Sequence, residues 1–526
     1  MYAAEWEPED AELQKWDGWA KWVLFLLVGL SLTGRSFAYL GIPPAKLFVG
    51  DLTLAAFVVL HPRKIFDPWI DALTKGGPLG PVAWMLLASL AYGIFEVIRG
   101  ILLGFTPLIA TENLVFNIYP IYLFLGIWLG CRQPKLLLRF VQVYSICFCV
   151  YAPAYMLFLN KLTVTMPGSD GVRVFGQPSG GGVIILALLC LDPKPGRFWA
   201  PMTIAAAMLL AGQIRAEWVG MGLALLIWGT LSRKMSKVAM IGAGIATLLA
   251  LGSLLDIDIP APQGRGGSIS SREIVARGLA AIDPALAEDF TGSTHVGFYK
   301  GTITWRENWW RAIWANSQAN YTNLLIGPGY GYLLKNLVSY LKDSGDLRTP
   351  HNIFYYALGY SGWLGVLLFF SLQASCGALV WRAYKITGQP FGVVIWASTL
   401  FTAFFGNAFE TPTGAIPCYL TLGLIIGPTL STVRSPMRLT FPDPQLAITY
   451  DGYRKLGVGG PGEPWRCPVD EDVVPSDRKP QSALCPPLNS ERFCLICWGQ
   501  FRLPRQCLDD LDRSSASRFS ARRGTV

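Results

Sequence analysis

Charge is scarce in this chain. Only 15% of its 526 residues are Asp, Glu, Lys or Arg, where a soluble domain usually carries about 25%. Histidine is scarcer still, at three residues. No dense basic run interleaved with aromatics occurs, so the formal net charge of +9 does not describe a nucleic-acid-binding surface. The N-terminus lacks the positive start of a signal peptide. It carries Glu5, Glu7, Glu9, Asp10 and Glu12 instead, so the first apolar stretch is expected to stay in the mature chain. Cysteine is missing between residues 191 and 375, which excludes a disulfide there. Cys494-x-x-Cys497 has no second CxxC or CxxH after it, so no metal site is expected in the tail.

What the chain has is apolar length. Hydrophobic residues make up 52%, and the mean hydropathy is +0.38. They gather in runs such as 22–33, 114–130, 237–255 and 363–381. A span needs roughly 20 mainly apolar residues, because the hydrocarbon layer is about 30 Å thick. Backbone amides there must be bonded internally, so the spans must be helices. Spans are expected near 20–38, 46–61, 79–98, 112–130, 136–159, 174–191, 198–213, 216–232, 237–255, 352–381, 390–409 and 413–432. The fold class is therefore all-α, a polytopic membrane protein of about twelve transmembrane helices.

Lys and Arg in the short connections set the orientation. With the N-terminus inside, the inner connections hold thirteen basic residues and the outer ones six. Both termini are then cytoplasmic, and the 256–350 connection between the ninth and tenth helices is a large extracytoplasmic loop. Residues 1–19 form a cytoplasmic segment and 20–432 the membrane unit. Residues 433–526, rich in Pro, Arg, Asp and Ser, form a cytoplasmic tail expected to be largely disordered. Within the large loop, 256–300 is Gly- and Pro-rich and expected to be irregular. Residues 301–345 place Trp305, Trp309, Ile313, Trp310 and Trp314 at helical spacing, which fits either an interfacial helix or one capping the bundle.

Charges in this topology gather on the outer side. Glu96 and Arg99 close the third span, at a spacing that lets them simply pair. Glu112 opens the fourth span, and Arg173 precedes the sixth. Arg215 and Glu217 sit in a tight apolar hairpin, Arg306 in the loop. His351 follows Pro350 and opens the tenth helix beside Asn352, where a helix start favours neutral imidazole. Glu410 ends the eleventh. Gly327-Pro-Gly-Tyr-Gly331 follows no strand and precedes no Lys-Ser/Thr, so it is not a phosphate loop. Asp256-x-Asp258 is set aside as a chance pair.

The stretches IGPGYGYLLKN and TPHNIFYYALGYSGWLGVLLFF, at 326–336 and 349–370, resemble the lipid A–core O-antigen ligase and polysaccharide polymerase superfamily. Its members show a G-x-G element, then His-Asn opening a helix, then a small-residue turn into a long apolar run. LLAGQIRAEWVGM resembles the family's arginine hairpin and matches Arg215 to its arginine. Thr304-Trp-Arg306 resembles the loop arginine, GVRVFGQPSGGG the Arg-x-x-Gly segment with Arg173, and Asn407-Ala-Phe-Glu410 the acidic position. The sequence departs from the pattern at Ile214, Ala216, Ser179 and Gly180.

The resemblance implies a glycosyltransferase of the bacterial inner membrane. It would move a glycan from undecaprenyl diphosphate to an acceptor hydroxyl, a glycan or lipid A–core, on the periplasmic face, with no cofactor or metal. Arg215 and Arg306, with Arg173, would hold the diphosphate. His351 would take the hydroxyl proton, with Glu410 orienting or sharing it. Two other readings stand beside this one: a protein O-oligosaccharyltransferase of the same fold, and a membrane transporter. A transporter would place its charges near the bilayer midplane on broken helices in two matching halves.

Overall fold

The computed structural model describes residues 18–434 except 43–46, 168–170, 179–180, 192–198, 213, 261–267, 283–286, 288–295 and 343–348. The chain divides into two units, Met1–Leu439 and Thr440–Val526. The second lies outside the described residues, as do the N-terminal acids and the cysteines of the tail.

Helices run through the first unit. In order they are α1 (Gly18–Thr33), α2 (Val49–Leu60), α3 (Pro62–Lys75), α4 (Gly80–Leu102), α5 (Pro107–Arg132, with a tight 3-10 turn at Tyr119–Ile121), α6 (Leu136–Leu157), α7 (Gly181–Leu191) and α8 (Trp199–Gly212). Then come α9 (Arg215–Leu231), α10 (Met235–Leu254), α11 (Ser271–Ile282), α12 (Val296–Ser317), α13 (Tyr321–Ile326), α14 (Ile353–Thr387), α15 (Phe391–Thr402) and α16 (Pro412–Arg434). Six of the described helices are long and apolar enough to cross a membrane: α4, α5, α6, α10, α14 and α16. Shorter apolar helices, α1, α2, α7, α8 and α15, stand among them. This is the architecture of an all-α, multi-pass membrane protein.

Two long helices meet backbone to backbone. Gly126 and Gly130 of α5 face Gly423 and Gly427 of α16, each pair spaced as GxxxG. A Cβ on Gly126 would stand 2.5 Å from the Leu420 carbonyl oxygen, and one on Gly427 2.5 Å from that of Ile127. Without water to drive apolar surfaces together, small residues gain helix association through close dispersion contact. By contrast α10 has no buried residue at all. A helix apolar on every side and buried on none is suited to lipid.

The expectation of irregular chain over 256–300 fails in part. Asp258–Pro260 pairs antiparallel with Ser268–Ser270, and α11 follows. Ser270 Oγ accepts the Glu273 N–H at 3.1 Å, as an N-cap side chain does. Gly and Pro are densest at 260–267, which joins the two strands in sequence. Of the two alternatives for the tryptophan helix, α12 is a cap on the bundle: Trp309 and Ile313 are fully buried, and Trp309 Nε1 donates to the Leu334 carbonyl at 2.9 Å.

Candidate functional site

His351 sits in a turn that the chain must be forced to make. Its φ of 52° is left-handed, shared among described non-glycine residues only with Arg233 and Asp256. Such a backbone costs about 1–3 kcal/mol and persists only where surroundings over-determine it. Three hydrogen-bonding anchors do so. Trp310 Nε1 of α12 donates to the Pro350 carbonyl at 2.8 Å. Asn352 caps α14, its Oδ1 accepting from Phe354 N at 2.9 Å and Tyr355 N at 3.3 Å. Ile353 N donates to the Ala403 carbonyl, just past α15, at 2.9 Å. The His-Asn pair thus divides its labour, with Asn holding the helix start and His turned aside from it.

The imidazole lies against Trp305, centroids 5.9 Å apart and nearly perpendicular. Burial, and then the charge of Arg306, push its pKa down to about 4. The ring is neutral near pH 7, as its place at a helix start led us to expect. The cause is desolvation and a neighbouring cation rather than the helix terminus.

Arg306 lies over Trp305 at 5.4 Å and donates from Nη1 to the Phe405 carbonyl at 3.2 Å. Its Nε is buried without a hydrogen-bond partner. Burial, then Arg215, lower its pKa. Arg215 opens α9 behind the extended backbone of Ile214, and burial followed by Arg277 lowers its pKa in turn. Arg277 of α11 is buried and held by Glu273, whose Oε1 accepts Nε at 3.2 Å and Nη2 at 3.1 Å. Three guanidiniums and one neutral imidazole therefore form a continuous neighbourhood, with Arg215 and His351 at helix starts and Arg277 and Arg306 within α11 and α12. Sequence reasoning missed Arg277, because it lies in the stretch expected to be irregular. The Ser-x-x-Glu cap and the Glu-x-x-x-Arg spacing were the signals that could have found it.

Glu410 is buried in the turn between α15 and α16, and neither carboxyl oxygen makes a hydrogen bond. Burial holds its pKa well above the ordinary carboxyl value, although Thr349, two residues before His351, pulls the other way. Arg173 stands apart from the other candidates in its bonding. Its Nη1 donates to the Asn160 carbonyl at 3.2 Å, and its backbone bridges Thr165, so it braces the connection between α6 and α7.

Glu96 and Arg99 pair with each other, Nε to Oε2 at 3.1 Å. Arg99 Nη2 also donates to the carbonyls of Ile326 and Gly327 at 2.8 and 2.9 Å. Gly327, Gly329 and Gly331 all have positive φ, and Gly331 N donates to Asn113 Oδ1 at 3.0 Å. The glycine-rich segment is thus a plug locked onto α4 and α5. It abuts Gly362, where α14 breaks at φ 59°: a Cβ there would meet Leu325 C and the amide nitrogens of Ile326 and Gly327 at 2.5–2.6 Å. This clasp sets the direction of the short helical piece that His351 precedes. Among the described residues no group of three or more His, Cys, Asp or Glu could hold a metal ion. No protein-family model and no curated protein matches the chain.

Proposed function

We propose that the chain is a membrane glycosyltransferase that moves a glycan from a polyprenyl diphosphate carrier to an acceptor hydroxyl, as its resemblance to O-antigen ligases and polysaccharide polymerases implies. The proposal includes twelve spans in a bacterial inner membrane, both termini in the cytoplasm, and the 256–350 loop on the periplasmic face. The observation that carries it is the meeting of Arg215 and Arg306 with a neutral, conformationally strained His351.

The chemistry follows from those groups. The bond between the anomeric carbon and the phosphate oxygen breaks, and the electron pair leaves with the diphosphate. Arg215 and Arg306, with Arg277 alongside, stabilise that charge, the role a divalent metal would otherwise fill. The acceptor oxygen bonds to the anomeric carbon, and its proton passes to His351. Donor binding assists this step. A bound diphosphate offsets the Arg306 charge that depresses His351, so the imidazole becomes a better base once the donor is seated. Glu410, buried and linked to the same turn through Thr349, orients or shares that proton. Arg173, whose Nη1 donates to the Asn160 carbonyl, is the third arginine that the resemblance offers for the diphosphate.

A transporter reading is disfavoured because the cationic groups stand at helix ends and in connections. A Ser or Thr side chain of a protein in place of a glycan or lipid A–core would use the same site. The test is transfer of labelled glycan from undecaprenyl diphosphate in membranes holding matched amounts of protein. Arg306→Gln and Arg215→Ala should each lower transfer at least about a hundredfold, a typical loss for one charge-stabilising donor. Parental activity in both variants would remove the basis of the reading.

A further inference from the structure

Away from the cationic cluster, α1 and α2 border an open groove of about 860 Å³, within the roughly 300–1,000 Å³ of small-molecule sites. Trp19, Trp22, Phe25, Leu52 and Ala56 line it, with His61 at one end and Leu40 and Gly41 at the other. Its walls are exposed apolar surface: Trp22 is 40% exposed and Phe25 52%. The floor is fixed by Trp22 Nε1 donating to Thr53 Oγ1 at 2.9 Å. The twelve residues of α2 rise about 18 Å, close to the depth of one leaflet of a ~30 Å hydrocarbon layer.

A second, independent feature stands beyond the His61 end. Trp19 packs edge-on against Phe57 at 4.8 Å, and Phe57 against Trp128 at 5.3 Å. Two cations close on Trp128 from different helices, Lys64 Nζ of α3 at 4.5 Å and Arg132 of α5 at 4.9 Å. Among the described residues neither forms an ion pair with a carboxylate. Two like charges on one ring repel each other, and an anion between them offsets that repulsion.

We propose that this is a binding site for a membrane phospholipid with an anionic headgroup, its phosphate between Lys64 and Arg132 and one acyl chain along the α1–α2 groove. The cation pair selects the phosphate, and the apolar groove, about one leaflet deep, selects a chain rather than a soluble anion. The site is independent of glycan transfer.

The test uses the full-length protein in detergent, probed by native mass spectrometry with phosphatidylglycerol, phosphatidylcholine and the chainless glycerophosphoglycerol. Phosphatidylglycerol should be retained at least tenfold better than either of the others. Lys64→Gln with Arg132→Gln should remove the preference between the two phospholipids. Ala56→Trp, which fills the groove and leaves the cations in place, should weaken retention of phosphatidylglycerol. An unchanged melting midpoint in each variant separates lost binding from lost folding. Equal retention of both phospholipids by the parent overturns the proposal, as does unchanged preference in the charge variant or equal retention of glycerophosphoglycerol. If lipid enters only after residues 1–17 are deleted, the groove's occupant is the chain's own acidic N-terminal segment, and the proposal fails.

Discussion

At the scale of residues, the site depends on which groups are charged when. His351 has a pKa near 4, against about 6.5 in an unfolded chain. Between those values the unfolded state binds more protons, so this residue makes stability rise with pH from about 4 to 6.5 and fall on acidification through that window. A reaction that needs neutral imidazole should then keep its kcat/KM nearly level from pH 7.5 down to about 5.5, declining only toward pH 4. A limb near pH 6.5 that vanishes in His351→Ala would show that the free protein's imidazole is not held down. Arg215→Lys keeps the charge and loses the planar fork, so transfer should still drop by at least about tenfold. Arg215→Ala should weaken donor binding as well, measured by retention of undecaprenyl diphosphate. His351→Ala should leave that retention nearly intact and depress turnover by about a hundredfold or more. Equal activity of parent and His351→Ala removes the base assignment. Glu410 would then become the leading candidate for the base.

At the scale of elements, the break in α14 is the device that aims the site. Gly362→Ala adds a Cβ against backbone atoms and forces a left-handed backbone on alanine, so two penalties of about 1–3 kcal/mol each combine. Gly388, which ends the same helix at φ 70° with open space around it, meets only the conformational cost of about 1–2 kcal/mol. The melting midpoint should fall markedly further for Gly362→Ala than for Gly388→Ala, and equal falls would mean that the clasp around Gly327 yields easily. These elements also show what a sequence can reveal. Apolar run length located helices in every stretch where a span was expected, because membrane helices are specified by local composition. Helix α11 was hidden, because a Gly- and Pro-rich hairpin dominates the composition around its short Ser-Arg-Glu start. The break at Gly362 could not be read from YSGWLG alone. It follows from the distant Gly327 segment packing against it, a contact between residues 35 apart. Arg215, Arg306 and His351 were legible as scarce ionisable groups on the outer side, and Arg277 was not. Arg173 was legible in the same way, and its Nη1 donates to the Asn160 carbonyl. The GxxxG pairs of α5 and α16 were legible and passed over.

At the scale of the whole molecule, the proposal requires one side of the membrane to hold all of the chemistry. A reporter inserted after Gly267 should read as extracytoplasmic and one after Gly459 as cytoplasmic. The same side for both would mean an odd error in the count of spans. Ending the chain near Val433 should leave transfer largely intact, because residues beyond it lack a core-forming pattern. Loss of transfer with normal membrane levels would assign the tail a partner or a regulatory task. On the proposed function, the protein itself transfers a glycan and releases its lipid diphosphate. Purified protein in proteoliposomes, given labelled glycan on undecaprenyl diphosphate, an acceptor glycan or lipid A–core and a millimolar chelator, tests this directly. One free undecaprenyl diphosphate should appear for each glycosylated acceptor, with the chelator present throughout. Label that crosses the vesicle membrane still attached to its lipid, with no diphosphate released, would contradict it.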